Sequence, residues 1–287
     1  MTGRVVTLGN AVVDLVATVP ALPGRGADVV AGAGGPAAGG GGLLAVLAVR
    51  AAGGAAAFAG RIGTGPFGDT VRRVLDGAGV PVLTPPVPDR DTGLAVTLVE
   101  PDGERTFVTL PGAELADPAL GEVRFAPDDL VHVSGYGLQD PARAAGIARL
   151  LGRLPSTVTV LVDPGPLGMG GDDAGAVLAR ADWWSGTGAE ATSATGLADP
   201  VAAAAALAAR VRRGAVVRRG PDGCLLAVDG ADPVALPGTR VVARSTNGAG
   251  DTHVGTFLAA LAAGTDPRGA AERANRAAAA FVAGSTS

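Results

Sequence analysis

Short apolar runs of strand length alternate with alanine-rich stretches through much of the chain, and this alternation limits the possible folds more than any other feature. The clearest runs cover residues 130–134, 158–162, 215–218 and 224–228. Their valine and leucine content and few charges are typical of strands buried on both faces of a parallel sheet. The sequence therefore predicts an α/β fold, with a doubly wound, mostly parallel sheet and helices on both faces.

The N-terminal part continues this pattern. Residues 4–8 predict a strand that ends at a turn beginning with Gly9, and we place this strand near the centre of the sheet. Residues 21–42 are rich in glycine and proline and predict a loop or short edge strands. The following pattern predicts a helix, a strand and a second helix, over residues 43–52, 55–59 and 70–77 respectively.

Residues 93–110 differ from the other strands of the chain. Apolar and polar residues alternate on both sides of Pro101-Asp102-Gly103. Alternation around such a turn indicates an antiparallel β-hairpin with one exposed face. We therefore expect a small separate β element, to which residues 21–42 also contribute.

Composition excludes several classes of function. The 23 basic residues are all arginines, which excludes enzymes that need a Schiff-base lysine and nucleotide sites built on a P-loop lysine. One cysteine, Cys224, and two histidines, His132 and His253, are too few for a disulfide or a structural zinc site. A net charge of −4 with scattered arginines argues against nucleic acid as a partner. The sequence shows no spanning segment and no signal peptide, so we expect a cytoplasmic protein without a membrane partner.

The most informative segment for chemistry is 244–257. Gly248, Ala249 and Gly250 precede Asp251, which opens a predicted helix. Small residues at a helix N-terminus let backbone N–H groups point at an anion. Asp251 then has two interpretations: a general base beside a phosphate site, or an N-cap that satisfies the helix N–H groups.

Several segments resemble the PfkB (ribokinase-like) carbohydrate kinases. The sequence GAGDT at 248–252 resembles the family's second signature, and 60–69, with the glycines from 40 onward, resembles the first. Residues 9–14 resemble the opening strand and substrate-binding aspartate, and 217–225 resembles a strand and turn beside the nucleotide. The landmarks keep the family's order over roughly residues 4–284.

This resemblance implies an ATP-dependent sugar kinase that uses Mg²⁺ and phosphorylates a hydroxyl of a small carbohydrate. Asp251 would be the catalytic base, and the backbone of Gly248, Ala249 and Gly250 would form an anion hole. Glu190 would hold Mg²⁺ through water. The residues implied to contact the sugar are Asn10, Asp14, Gly40, Gly41 and Gly42. Those implied to border the nucleotide are Thr187, Glu190, Arg218, Gly220, Gly223 and Asn275.

The resemblance also implies an organisation for the chain. Residues 1–287 would form one kinase domain, with a β lid inserted from about 12–40 and 91–111. The lid would close over the sugar and exclude water. A homodimer formed through the lid is left open.

Departures from the family pattern leave alternatives. Leu44, Thr187 and Ser245 stand where the family has Asn, Asn and Asp. The last change removes a charge beside a monovalent-cation site, so K⁺ activation is not expected. A nucleoside kinase of the same fold is one alternative, although Phe107 is the only aromatic residue of the hairpin. A sugar- or nucleotide-binding member with weakened catalysis is another.

Other residues have simpler interpretations. His253, Cys224 and the adjacent Trp183 and Trp184 are expected to pack in the core or, for His253, to lie at the surface. Arg61 and Arg105 are the arginines considered as receptors for a phosphorylated sugar, with surface ion pairing as the simpler role.

Overall fold

The computed structural model describes residues 3–165, 172–228, 230–243 and 246–284. The described strands form an eight-stranded sheet, ordered β12-β11-β10-β9-β8-β7-β1-β4, and a four-stranded sheet, ordered β3-β2-β5-β6. The strands are β1 Val5–Leu8, β2 Val12–Thr18, β3 Ala33–Gly39, β4 Ala56–Phe58, β5 Leu94–Val99, β6 Arg105–Leu110, β7 Leu130–Ser134, β8 Thr159–Asp163, β9 Trp183–Thr187, β10 Gly214–Arg218, β11 Cys224–Val228 and β12 Val234–Leu236.

The large sheet is parallel from β4 to β10, and β11 and β12 extend it as antiparallel strands. Helices cover both faces: α1, α2, α7 and α8 pack on one apolar cluster, and α3 to α6 pack on the other. This confirms the doubly wound fold. The helices are α1 Gly41–Ala51, α2 Pro66–Gly77, α3 Pro141–Leu151, α4 Asp172–Arg180, α5 Gly188–Thr195, α6 Pro200–Ala208, α7 Ala249–Ala262 and α8 Pro267–Val282.

The two adjacent tryptophans of β9 divide between these clusters. Trp183 packs in the cluster under α7, where its ring and that of Phe257 pack edge to face with their centroids 5.4 Å apart. Trp184 packs in the opposite cluster. Successive side chains of a strand point to opposite faces, so each ring fills one of the two core layers. The prediction of core packing for both rings is confirmed, and buried Cys224 is likewise in the core.

The small sheet contains the predicted hairpin, formed by β5 and β6 in antiparallel register with Leu94 opposite Leu110. Strand β2 pairs with β5 in parallel and with β3 in antiparallel orientation. Residues 33–39 form a regular strand that pattern alone did not resolve, because glycine and proline have low strand propensity. They are tolerated here because β3 is an edge strand.

Three sequence expectations need correction. Strand β1 lies one strand from the edge, next to β4, because the chain leaves the large sheet for the small one before α1 and β4 follow. Helix α1 begins at Gly41, two residues earlier than predicted, and α2 begins at Pro66, where proline suits the first helical position.

Among the described residues, no helix has the length and apolar character needed to cross a membrane.

Candidate active site

The N-terminus of α7 opens into a cleft between the two sheets. Gly248 precedes the helix with φ +83°, a left-handed conformation that glycine adopts without strain, and it has no side chain with which to cap the helix. The first-turn N–H groups of a helix have no partner four residues earlier within the helix, and the dipole adds positive potential there. The geometry therefore suits an anion at the start of α7.

Asp251 lies in the first turn of α7 and lines this cleft, which has a volume of about 760 Å³. Its Oδ1 atom lies 3.1 Å from the position that a Cβ on Gly41 would occupy, so a larger residue at 41 would crowd the carboxylate. The N-cap position belongs to Gly248. The interpretation of Asp251 as an N-cap is therefore wrong, and its carboxylate is directed to the cleft.

The surroundings of Asp251 change its acidity. The pKa of its carboxyl group is raised from 3.8 to about 7, chiefly by burial and also by the nearby Asp163 carboxylate, while Arg218 acts in the opposite direction. Burial disfavours the charged form of a carboxyl group, and a neighbouring negative charge has the same effect. Asp251 is thus able to gain or lose a proton close to neutral pH.

Arg218 connects the ends of three strands behind the anion site. Its Nη1 donates to Asp163 Oδ2 at 3.0 Å and to Ser185 Oγ at 2.8 Å, and its Nη2 lies 3.7 Å from Glu190 Oε2. The side chain is 11% exposed, and the carboxylates outweigh the effect of burial and raise its pKa. A Cβ on Gly250 would lie 3.4 Å from Arg218 Nη2, so the guanidinium lies directly beside the first turn of α7.

Asp163 was not predicted from the sequence, although a signal was present. It ends strand β8, one residue after the apolar run at 158–162. In open α/β sheets, ligands bind beyond the carboxyl ends of the parallel strands, so a carboxylate at that position is a candidate on topology alone. The same argument applies to Ser134 and Tyr136, which end and follow β7.

Thr187 and Glu190 form a capping box at the start of α5. Thr187 Oγ1 accepts from the N–H of Glu190 at 3.2 Å, and Glu190 Oε2 accepts from the N–H of Thr187 at 2.6 Å. The exchange satisfies two first-turn N–H groups and holds Glu190 beside Arg218. Thr187 is therefore a helix cap in this structure, and Glu190 Oε2 takes part in the capping box.

The residues implied for sugar binding meet at the other side of the cleft. Asp14 lies in β2 of the small sheet, which corrects the expectation that it ends the first strand. A Cβ on Gly39 would collide with its carboxylate, and burial raises the pKa of Asp14. Asn10, Gly40 and Gly41 also line the cleft.

Gly42 has a packing role. Its N–H donates to Asn10 Oδ1 at 3.4 Å, and a Cβ there would lie 2.8 Å from the backbone nitrogen and oxygen of Asn10. It lies behind Gly41 and does not belong to the cleft lining. Leu44 does line the cleft, so the position where the resembling family has Asn presents an apolar side chain here.

The side-chain amide of Asn275 is hydrogen-bonded inside the protein. Its amide nitrogen donates to the carbonyl oxygens of Leu236 and Pro237, at 3.3 and 3.2 Å, and its Oδ1 lies 3.1 Å from His253 Nε2. The residue is buried, as is His253, which corrects the surface alternative for that histidine. Asn275 therefore supports the segment after β12, and its amide is not placed for direct contact with a nucleotide.

Gly220 and Gly223 shape the turn between β10 and β11. Their φ angles are +58° and +84°, both in the region that favours glycine. A Cβ on Gly223 would collide with the backbone at Leu236 and Gly238, whereas nothing lies within 4 Å of a Cβ on Gly220. Gly223 is thus required for packing, and Gly220 keeps the surface open. Ser245 lies outside the described residues.

Residues 2–286 match the pfkB family of carbohydrate kinases, and the chain belongs to this family. Kinases of the family are phosphotransferases that act on hydroxyl groups. Among curated proteins, the chain is 31% identical over 178 residues to the uncharacterized sugar kinase YegV of Escherichia coli, covering 61% of this chain and 54% of that protein. The aligned stretches span between 20% and 54% of the length of the curated relatives that match.

Solved structures confirm the ribokinase-like fold. A ribokinase from Giardia lamblia superimposes with a TM-score of 0.85 at 20% identity, over 99% of this chain and 94% of that chain. An adenosine kinase from Sinorhizobium meliloti superimposes with a TM-score of 0.81 at 20% identity, over 98% and 94% of the two chains. At these identities the similarity concerns the fold alone.

Proposed function

We propose that this protein transfers the γ-phosphoryl group of ATP to a hydroxyl of a small carbohydrate. The observation that carries the proposal is the position of Asp251. It lies in the first turn of α7 and lines the same cleft as Asp14. A buried carboxyl group whose pKa is raised to about 7 is suited to general-base work at neutral pH. Family membership supports a carbohydrate acceptor.

In the proposed reaction, Asp251 accepts the proton of the acceptor hydroxyl while the hydroxyl oxygen forms a bond to the γ-phosphorus of ATP. The bond between that phosphorus and the oxygen bridging to ADP breaks, and ADP leaves with the bonding electrons. The backbone of Gly248, Ala249 and Gly250, at the start of α7, stabilises the negative charge of the transferred group. Phosphoryl transfer needs positioning and charge stabilisation more than covalent participation of the protein.

The small sheet supplies the acceptor side. Asp14 of β2 accepts hydrogen bonds from sugar hydroxyls, and Phe107 and Thr109 of β6 cover the opposite side of the cleft. We propose that this sheet is the lid, formed by about 12–40 and 91–111 within a single domain 1–287. Its closure removes water that would otherwise compete with the sugar for the phosphoryl group.

ATP is expected beyond the carboxyl ends of the large-sheet strands, near Gly220 and Arg218. The described residues contain no cluster of three carboxylate, histidine or cysteine ligands for a metal ion. This fits Mg²⁺, which keeps several waters and is held mainly by substrate phosphates with one or two carboxylates. Glu190, which lies beside Arg218, would hold it through water; when bound, Mg²⁺ neutralises charge on the phosphates.

A nucleoside acceptor is the second candidate. Phe107 lines the cleft and is 53% exposed, so its ring offers a face on which a base could stack.

A homodimer through the lid also stays a prediction. It is supported by Val108 and Leu110, which alternate with Phe107 along β6 and are exposed on the other face of the sheet. Size-exclusion chromatography with light scattering would test it.

The test of the proposed function is a panel of sugars, sugar derivatives and nucleosides incubated with purified protein, ATP and Mg²⁺, with ADP release measured. We expect acceptor-dependent ADP release that is lost in Asp251→Asn. Release with nucleosides alone would favour the second candidate. Binding of acceptor and ATP without any release would favour a catalytically weakened member, and release without an acceptor would contradict the proposal.

A further inference from the structure

A buried arginine, Arg143, lines the cleft without an ion pair to any residue that the structure describes. Arg143 of α3 is 7% exposed, and its Nε atom has no hydrogen-bond partner. Within the part of the chain that the structure describes, its guanidinium makes no hydrogen bond and no ion pair within 4.0 Å. Burial lowers its pKa, because removal from water disfavours the charged form.

Asp140 and Glu114 are the two carboxylates that act electrostatically on Arg143, and both accept hydrogen bonds from backbone N–H groups. Asp140 is the N-cap of α3, and its Oδ1 accepts from the backbone N–H of Arg143. Glu114 accepts from the N–H groups of Gly93 and Gly112, one with each oxygen and both at 2.8 Å. Both carboxylates favour the charged form of Arg143, yet neither forms an ion pair with it. A guanidinium carries five N–H donors, so its hydrogen-bonding capacity remains to be used.

Arg143 lies in the cleft that contains Asp251. A Cβ on Gly137 would lie 3.8 Å from Arg143 Nη2, so the guanidinium is under the turn at 135–138. Tyr136 of that turn and Asp251 both approach Gly41, at 3.6 and 3.1 Å from the Cβ position there. Of the described residues that line the cleft, Arg143 is the only one with a positive side chain.

We propose that Arg143 binds an anionic group of the acceptor, so that the substrate is a sugar acid or a sugar phosphate. The inference rests on the proposed function and specifies its substrate class. The shared chemistry is an oxyanion, which a guanidinium binds through two parallel N–H···O bonds. A buried cation held without a partner pairs with an incoming anion and gains more from it than a solvated surface arginine would.

Three carboxylates, those of Asp14, Glu114 and Asp251, also line the cleft. Asp14 and Asp251 repel an anion when they are charged, whereas Arg143 attracts it. The two Glu114 oxygens are already bonded to N–H groups. The anionic group is thus directed to Arg143, and the remaining hydroxyls are left for the carboxylates.

The kinetic test uses pairs of acceptors that differ in one charged group: gluconate and sorbitol, ribose 5-phosphate and ribose, fructose 6-phosphate and fructose. With ATP and Mg²⁺, we expect at least tenfold higher kcat/KM for the charged member of at least one pair. Arg143→Gln should reduce that ratio at least tenfold. Arg149→Gln, at an exposed position of the same helix, is the matched control and should leave the ratio unchanged. Preference for the neutral member in every pair, or no preference, would overturn the proposal.

A binding arm separates this proposal from the proposed function. Thermal unfolding is followed with each acceptor and without ATP, so no phosphoryl transfer is needed. The wild type should gain stability from a charged acceptor and not from its neutral counterpart, and Arg143→Gln should lose this gain. If the charged acceptor stabilises the wild type but no ADP is released, the kinase function fails and the anion site stands. Absence of charge-selective stabilisation and of kinetic preference overturns the anion site alone.

The ligand-free variants test the structural alternative. If Arg143 is unpartnered, Arg143→Gln and Arg143→Met should keep or raise the melting temperature of the ligand-free protein. A lowered melting temperature in both variants, with the charge preference retained, would assign Arg143 to folding and overturn the proposal.

Discussion

The two sheets of this protein differ in how they are buried. Strands β1, β7 and β8 of the large sheet are buried at nearly every position, because helices cover both faces. Strand β6 of the small sheet is exposed at most of its positions, and β3 is a glycine-rich edge. Segments with few buried apolar contacts open more readily than a core sheet does. The comparison separates a rigid part of the molecule from a more adaptable one.

The chemistry-bearing side chains divide in the same way. Arg218 and Asp163 extend from the ends of large-sheet strands, and Asp251 lies on a helix packed against that sheet. Asp14 and Phe107 belong to the small sheet. We infer that the large-sheet region performs the chemistry and that the small sheet binds and covers the acceptor.

The largest expected effect is loss of turnover in Asp251→Asn. Asn cannot accept the proton of the acceptor hydroxyl, and loss of a general base costs roughly 10²–10⁴-fold in rate. Turnover is measured as ADP release, and ATP affinity by calorimetry should change little. Asp266→Asn is the control, because Asp266 is the N-cap of α8 and has no place in the cleft. Asp251→Asn with more than half of wild-type turnover would contradict the assignment.

Asp14→Ala should act on acceptor binding from the small sheet. Hydrogen bonds to a charged group contribute about 1.5–3 kcal/mol, which corresponds to a roughly 10- to 150-fold increase in the acceptor KM. The KM for ATP should stay unchanged. Leu15→Ala is the control, because adjacent residues of β2 point to opposite faces. Equal effects on both substrates would place Asp14 outside the acceptor site and break the division between the sheets.

The pH profile should follow Asp251. Its carboxyl group has a pKa of about 7 because burial, aided by Asp163, disfavours its charge. The base must be deprotonated, so the rate with both substrates well below saturation should fall about tenfold from pH 8 to pH 6. A profile that is flat over this range would show that another group, or none, limits the reaction.

The same carboxyl group should reduce stability as pH rises. Its folded pKa of about 7 exceeds its ordinary value of 3.8, so the folded state holds the proton more tightly than the unfolded state. The cost of ionisation therefore develops between about pH 4 and pH 7 and is complete above pH 7. Asp251→Asn should raise the melting temperature at pH 8 and change it little at pH 4. An equal change in melting temperature at pH 4 and pH 8 would contradict this prediction, because it would show that the effect of the substitution does not come from ionisation of Asp251.

The sequence was most informative where local chemistry determines structure. The turn at 101–103 led to a correct hairpin, and the Gly-Ala-Gly run led to a correct helix, although α7 begins at Ala249 and not at Asp251 as predicted. Asp14 was assigned to the wrong strand, because only residues 9–11 separate β1 from β2. That interval is too short to reveal from pattern alone that the chain changes sheets.

Tertiary packing determined what the sequence could not reveal. Arg143 lies on a helix whose pattern permits either burial or exposure, and its unpaired state depends on how Asp140 and Glu114 are used. Glu114 belongs to a single short 3₁₀ turn, which carries no periodicity. Asp163, by contrast, was available from the end of a predicted strand and the general rule for ligand sites in α/β sheets.

The smallest expected effect concerns K⁺ and the position of Ser245, which precedes α7 in the sequence. The resembling kinases have Asp where this chain has Ser245, and a hydroxyl in place of a carboxylate removes most of the local attraction for a monovalent cation. At constant ionic strength, replacing Na⁺ or a bulky organic cation by K⁺ should therefore change turnover less than about twofold. Tenfold activation of the wild type would mean that the large-sheet region needs an ion to arrange its anion site. Activation that arises only in Ser245→Asp would identify the missing carboxylate as the reason that the wild type works without one.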